Sequence, residues 1–425
     1  MTANPWSTFR GQRVLLLQGP VGPFFNRLGR SLRQAGAQVH KINFNGGDWV
    51  FHPFGATSYR GALEEWPAYL ERFLTERNID VVMLFGDCRP IHAEVREICC
   101  RRGIKVGAFE EGYIRPNYVT FEQGGVNGFS MLANAWKQCQ EQPARLARPE
   151  RQLGSSFWYA ALWAVLYYIA ADLRRFAFRR YEHHRPLTIL EGLPWLRGAL
   201  RKVWYRIAER DVMSQLTGPL SRQFFLVPLQ ISTDSQIQTH SAYGSIEEFV
   251  RDVIRSFARH APAGTALAIK HHPFDRGYHD YSSLIRRFAA SHGVAERVLY
   301  LHDQHLPTLF EHMRGAVVIN STVGFSALSH NGAVKSCGRS IYDLPRLTYQ
   351  GALAHFWVDS EHFRPDRDHV ERFRAYVINE TQLNGSFYRG EVPLGLSASM
   401  VAGTRPYPAD ALRPVPVRIA DDLCS

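Results

Sequence analysis

Between Arg222 and Glu247 the chain carries one formally charged side chain, Asp234, in the stretch VPLQISTDSQIQTH (227–240), where an apolar strand gives way to a polar loop. Isolation from other acids keeps such a carboxylate ionised; a strand-end aspartate is also an ordinary cap or turn residue. FEEGYIRP (109–116) adds adjacent Glu110 and Glu111, which point to opposite sides if the strand continues, and Arg115, whose planar fork suits a carboxylate or phosphate. In IKHHPFDRG (269–277), Pro273 holds His272 extended, placing an imidazole where it can donate to a phosphate oxygen and help a leaving group depart. A metal is the competing idea, but His271 and His272 diverge as neighbours and lack an i, i+4 partner. In INSTVGFSAL (319–328), Ser321, Thr322 and the following helix amides form either an anion cradle or a plain N-cap. LQGPVGPFF (17–25) and INFNGGDW (42–49) are tight turns; Gln18, Gly19, Pro20, Asn43, Asn45 and Asp48 in them could meet an acceptor or simply shape the turn.

These segments need elements to hold them. RVLLLQG, QVHKINF, IDVVMLFGD and IKVGAFEEG read as strands separated by helical patterns; FFLVPLQ, ALAIKHHP, RVLYLHD and GAVVINS repeat the alternation later. Strands alternating with helices predict α/β units with parallel sheets, two Rossmann-like halves, and ligands at the carboxyl ends of the strands. Each of the polar segments lies at such an end.

The whole chain, 425 residues with 45% hydrophobic and 21% charged, is long enough for two full cores. Its formal charge of +11 favours anionic partners without choosing among them. The six cysteines form no CxxC pair, which disfavours a zinc site or disulfide framework. The first residues lack the apolar run of a secretory signal and read as a tail. From Phe157 to Ala171 the chain is aromatic and uncharged, and Arg174, Arg175, Arg179, Arg180 and Arg185 follow. That run is short for a bilayer span, which needs roughly 20 apolar residues, and suits an interfacial helix on anionic lipid or, alternatively, a buried helix with a basic end.

With LQGPVGPFF, INFNGGD, FEEGYIRP, GVNGFS, DSQI, KHHPF, NSTVGFSAL, GRSIYDLPRLTYQG and TQLNGSFY in order, the sequence resembles the capsule-polysaccharide β-Kdo transferases of Gram-negative bacteria over residues 13 to 395 or so. The resemblance implies an α/β fold of two Rossmann-like domains in a GT-B-like arrangement with an inserted aromatic and basic helical segment. The expected divisions are an acceptor domain over 1–150, a helical, membrane-proximal insertion over 151–210, a CMP-sugar domain over 211–350 and, over 351–425, a C-terminal helical segment that packs back, with a tail. It implies CMP-Kdo as donor, a phosphatidylglycerol-type lipid as acceptor, no cofactor and no metal. CMP-Kdo is β-linked, so a β-Kdo product retains configuration, and TDSQI aligns Asp234 with the aspartate held to be the nucleophile in related enzymes. His272, Asn320, Ser321, Thr322 and Gly324, with Lys270 and Pro273, are then the expected donor residues. Arg115 is expected on the Kdo carboxylate and Glu110 or Glu111 as acid/base; Gln18, Gly19, Pro20, Asn43, Asn45 and Asp48 fall on the acceptor side. The expected setting is the cytoplasmic face of the inner membrane, with other capsule biosynthesis or export proteins as further partners. A non-catalytic export component is the alternative. Nucleic acid is not expected, because no binding motif accompanies the charge.

Overall fold

The computed structural model describes residues 5–143, 145–182, 188 and 192–390; the expected tail after residue 390 and Arg185 of the basic flank lie outside the described residues. The described residues divide into two compact units, one comprising residues 5–134, 143, 145–182, 188 and 374–390, the other residues 135–142 and 192–373. Strands β1 (Arg13–Leu16), β2 (Gln38–Asn43), β3 (Thr57–Ser58), β4 (Val81–Phe85), β5 (Lys105–Glu111) and β6 (Tyr118–Gln123) belong to the first unit. Strands β7 (Phe224–Pro228), β8 (Ala266–Lys270), β9 (Val298–Leu301), β10 (Gly315–Val318) and β11 (Ala333–Ser336) belong to the second, and β12 (Gln382–Asn384) returns to the first. Among its described residues the 151–210 stretch contributes one α-helix to each unit.

The first sheet runs β12-β6-β5-β4-β1-β2-β3, and the second β11-β10-β7-β8-β9. Both contain the Rossmann order, in which the chain winds outward from one strand and then restarts on its other side. That leaves a crevice between β1 and β4 in one unit and between β7 and β10 in the other. The sheets are parallel as expected except at one edge, where β6 pairs antiparallel with β5 and with β12. The physical reason is connection length: Gly112–Asn117 is too short for the helical crossover that parallel neighbours require.

In the first unit α1 (Phe24–Gln34), α2 (Gly46–Phe51), α3 (Trp66–Glu76) and α4 (Val95–Arg101) follow strands, and α5 (Leu132–Cys139) leads out. Alternation along β1 divides its apolar residues between two cores. Val14 and Leu16 face Trp6, Phe24, Phe109, Phe121 and Phe387, whereas Leu15 and Leu17 face Phe44, Trp66 and Leu70. The aromatic helix α6 (Phe157–Leu173) also belongs here. It buries Tyr167 and Ala171, while Trp158, Leu162, Val165, Leu166 and Ile169 stay exposed. It therefore has one packed face and one outward apolar face. No helix among the described residues is long and apolar enough to cross a membrane.

The second unit contains α7 (Gly192–Ala208), α8 (Val212–Thr217), α9 (Ser235–His240), α10 (Ile246–His260), α11 (Ser282–Ser291), α12 (Leu306–His312), α13 (Thr322–Ser329) and α14 (Leu353–Asp359). Phe249, Val253 and Phe257 of α10 and Phe356 and Trp357 of α14 share one core with Phe225 and Val227 of β7. α15 (Arg367–Thr381) returns the chain to β12.

Candidate functional site

In the second unit the crevice between β7 and β10 is bridged by one amide. Gln230 lies two residues past β7; its Nε2 donates to Asp234 Oδ2 at 3.0 Å and to Asn320 Oδ1 at 2.9 Å. Asn320, past the end of β10, donates its own Nδ2 to the Gln236 carbonyl at 3.1 Å. Asp234 caps α9, with Oδ1 accepting from the Gln236 amide at 3.0 Å. Ser321 caps α13 through Val323 N at 3.2 Å, so Thr322 and the α13 amides begin directly beyond the Asn320 link. A Cβ at Gly324 would overlap the Tyr342 hydroxyl, which donates to the Ser321 carbonyl. That glycine is what lets Tyr342 clamp the turn.

The KHHPFD loop is tied into the same place. Asp275, fully buried, accepts from Ser232 N and Ser232 Oγ, each at 3.0 Å, so the loop after β8 holds the loop that carries Asp234. His272 Nδ1 accepts from Phe274 N at 3.2 Å, which makes Nε2 the N–H of the neutral ring. The half-buried imidazole is thus a hydrogen-bond donor of the kind a phosphate oxygen accepts. Pro273 opens a short 3-10 turn after it. Lys270 is buried in β8 with Nζ donating to the His302 carbonyl at 3.3 Å, and burial lowers its pKa, against the pull of Asp303. Its ammonium is thus directed to a backbone carbonyl.

The corresponding crevice of the first unit, between β1 and β4, is occupied by a polar cluster. Arg89, past β4, donates to Gln18 Oε1 at 2.9 Å, and Gln18 Nε2 donates to Tyr181 at 2.9 Å and to Asp48 Oδ2 at 3.2 Å. Asn45 caps α2 through Asp48 N and donates Nδ2 to the Tyr167 hydroxyl at 2.7 Å. Asn43 donates to the His52 carbonyl at 2.9 Å. Gln18, Asn43, Asn45 and Asp48 are all buried, and Pro20 with them, while Gly19 is half-buried at the turn. The glycines of NGGD have a definite use: a Cβ at Gly46 would overlap the Ala170 carbonyl, and one at Gly47 would sit 2.5 Å from the Tyr167 ring. The turn is the seat of α6. Lys41, deep in β2, is lowered to about 8 by burial, with Asp48 opposing the shift.

At the end of β5, strand alternation separates the two glutamates. Glu111 shares a face with Phe109 and accepts from the Tyr388 hydroxyl at 2.9 Å; Glu110 lies on the other face and caps the Glu111 amide at 2.9 Å. Arg115 is exposed, with Nε 3.4 Å from the Gly112 carbonyl. Behind Glu110 lies a buried acid, Glu122, which accepts from Tyr113 at 2.6 Å and from Ser130. The Tyr113 hydroxyl also receives Asn127 N at 2.6 Å, and buried Asp87 receives Val126 N at 2.8 Å. The motif GVNGFS is therefore a loop held by two acids and a tyrosine.

The structure brings Asp234, Asn320, Ser321 and Thr322 together in one unit, with His272 on a loop braced to them, and gathers Gln18, Asn45 and Asp48 in the other. Gln230, Asp275, Tyr342 and Tyr388 were not singled out in the sequence. Only Gln230 carried a local signal, a polar residue directly after a buried strand. A cavity of about 490 Å³ lined by Arg222, Arg314 and His330 lies at the opposite, amino-terminal ends of β7 and β10, away from these residues. Among the described residues no group of three or more His, Cys, Asp or Glu side chains is disposed to hold a metal ion.

Residues 80–388 match the family described as capsule polysaccharide biosynthesis protein. The chain belongs to this family. It is 37% identical over 388 residues to the Escherichia coli protein named capsule polysaccharide export protein KpsS, covering 89% of this chain and 97% of that one. It is 39% identical over 386 residues to the Neisseria meningitidis capsule polysaccharide modification protein LipB, covering 89% and 92%. Among solved structures, the Thermosulfurimonas dismutans KpsC β-Kdo 2,7 transferase is similar at 14% identity with a TM-score of 0.39, over 79% of this chain and 88% of that one. At that distance no residue role transfers. The two sheets, each with a Rossmann-like strand order, make an α/β architecture, and the family places the chain in capsule polysaccharide biosynthesis.

Proposed function

We propose that this capsule-family protein is a retaining glycosyltransferase that moves β-Kdo from CMP-Kdo to a phosphatidylglycerol-type lipid and so starts the linker of a capsular polysaccharide. The observation that carries the reading is the second unit's crevice, where Gln230 ties Asp234 to Asn320 and Asp275 ties the His272 loop to the Asp234 loop. A carboxylate, a neutral imidazole with Nε2–H and a helix start with a hydroxyl cap are the groups that transfer from a nucleotide-activated sugar uses.

In the first step an Asp234 oxygen attacks the anomeric carbon as its bond to the CMP phosphate oxygen breaks, and CMP leaves with the bonding pair. His272 Nε2–H and the Ser321–Thr322 turn stabilise the departing phosphate. In the second step the acceptor hydroxyl attacks the same carbon, its proton passes to a base, and Asp234 leaves as a carboxylate; two inversions retain configuration. Glu110 or Glu111, on opposite faces at the end of β5, is the proposed acceptor-side acid/base. Arg115 is proposed on the Kdo carboxylate. The outward apolar face of α6, with Arg175, Arg179 and Arg180 beyond it, supports a lipid acceptor and a peripheral place on an anionic membrane.

The direct test is to incubate the protein with CMP-Kdo and phosphatidylglycerol lipids and to identify products by mass. Asp234→Ala removes a helix cap as well as a nucleophile, so Asp234→Asn, which still caps α9, is the sharper variant. Both should lose transfer by roughly 10³-fold or more while binding CMP. Transfer within a few-fold of wild type by Asp234→Asn would remove it from the mechanism. The name of the Escherichia coli relative favours a second reading, a non-catalytic export component; absence of any Kdo product with every lipid tried would favour it.

A further inference from the structure

α7 turns its apolar side away from the protein. Leu193, Leu196, Leu200, Val203, Trp204 and Ile207 recur at helical spacing on one stripe, and each is exposed by 59% or more. The stripe cannot roll inward, because the opposite face is fastened. A Cβ at Gly277 would overlap the Pro194 carbonyl, Trp195 donates to the Tyr278 hydroxyl at 3.1 Å, and Arg201 donates to the Arg276 carbonyl at 2.8 Å. Tyr205 stacks on His302 at 3.5 Å between ring centroids, and Glu209, just past the helix, holds His302 Nδ1 at 2.6 Å. Six large apolar side chains are thus committed to an outward position, far beyond the scattered exposure of an ordinary surface.

The charges say what covers the stripe. Gly192–Ala208 contains no acidic residue; exposed Arg197 and Arg206 flank the stripe, and exposed Lys202 lies farther round the helix. Self-association through a two-fold axis would set these cations against their own copies. An anionic bilayer instead takes the apolar stripe into its interface and the cations among its phosphates. We propose that α7 is a docking helix for an anionic lipid surface, distinct from α6, and that its fastened inner face links that contact to the KHHPFDRG loop. The binding itself does not depend on the transferase reading, and it is measured without any sugar donor.

The test is flotation of the full chain with phosphatidylcholine vesicles made with and without phosphatidylglycerol. Leu200→Glu/Trp204→Glu should lower the fraction bound to phosphatidylglycerol vesicles about tenfold or more, with the melting temperature unchanged. Arg197→Gln/Lys202→Gln/Arg206→Gln, which leaves the stripe intact, should lose a comparable factor on anionic vesicles and little on neutral ones. This second variant decides the matter should the first lower the melting temperature. Wild-type flotation by both variants would mean that α7 does not touch lipid, and the proposal would fall. A wild-type dimer that Leu200→Glu/Trp204→Glu converts to monomer would also overturn it, by giving the stripe to a second copy.

Discussion

Burial raises the Glu122 carboxyl to about 7, with bonds from Ser130 and Tyr113 pulling the other way, and raises Asp87 to about 6 against the Val126 amide. Both folded values lie above the ordinary values of 4.5 and 3.8. The folded unit therefore keeps protons that the unfolded chain has released, and its stability falls as pH rises from about 4 to about 7. Glu122→Gln keeps a partner for Tyr113 and cannot ionise; it should flatten this slope and melt higher than wild type at pH 8, with little difference at pH 4. Equal melting of the two proteins at pH 8 would show that Glu122 does not titrate with folding. Asp275 is a different case, since its oxygens take both the amide and the hydroxyl of Ser232. Asp275→Ala should cost about 1–3 kcal/mol from the unpaired buried donors and slow transfer by letting the Asp234 loop move. Thermal melts together with the mass assay read both effects, and Asp275→Asn should restore part of each. Asp234 was legible because it stood alone among apolar and neutral residues. Asp275 was not, because its partner Ser232 is 43 residues away and only folding joins them.

Among the elements, the strands and helices of the βα alternation were readable because a buried strand is a short apolar run and an amphipathic helix repeats every three to four residues. β6 was not read as a strand, nor was β12, whose three residues carry no period, and with them went the antiparallel edge. α6 was ambiguous for a physical reason: both its faces are apolar, so its pattern does not tell the face on α2 from the face that looks outward. The stripe of α7 is periodic, but periodicity shows that a face is apolar, not that it turns away from the core. For α6 the deciding residues are the small ones beneath it. Gly46→Ala should cost about 1–3 kcal/mol by overpacking against Ala170 and weaken vesicle binding by loosening the helix. Arg174 stacks 3.5 Å over Trp49 and so helps seat α6. Arg175→Gln/Arg179→Gln/Arg180→Gln is accordingly the variant that tests the membrane surface of α6, and it should reduce flotation with anionic vesicles, as added salt should. Flotation equal to wild type at low salt would take the membrane role from α6.

At the scale of the whole molecule, each unit has its own sheet and core, a division that the repeated alternation made visible; the sequence also predicts a C-terminal segment that packs back, but nothing in it marks the strand that this segment adds to the first sheet. Binding of a nucleotide to the second unit should stabilise that unit in particular, so calorimetry with and without CMP should move one transition more than the other. Equal displacement of both would mean that the ligand is held elsewhere or that the chain melts as one body. The first core is closed by Leu383 and Phe387, which lie against Phe109, Phe121 and Phe24, and β12 covers the edge of β6. During synthesis, at roughly 5–20 residues per second, the second unit can leave the ribosome with its sheet already complete. The first unit, begun earlier, waits for its last strand and meanwhile presents an unpaired edge and an open aromatic core. The amino-terminal half is thus the later to finish, and a message truncated shortly before codon 374 should yield a protein whose second half resists protease while its first half is digested.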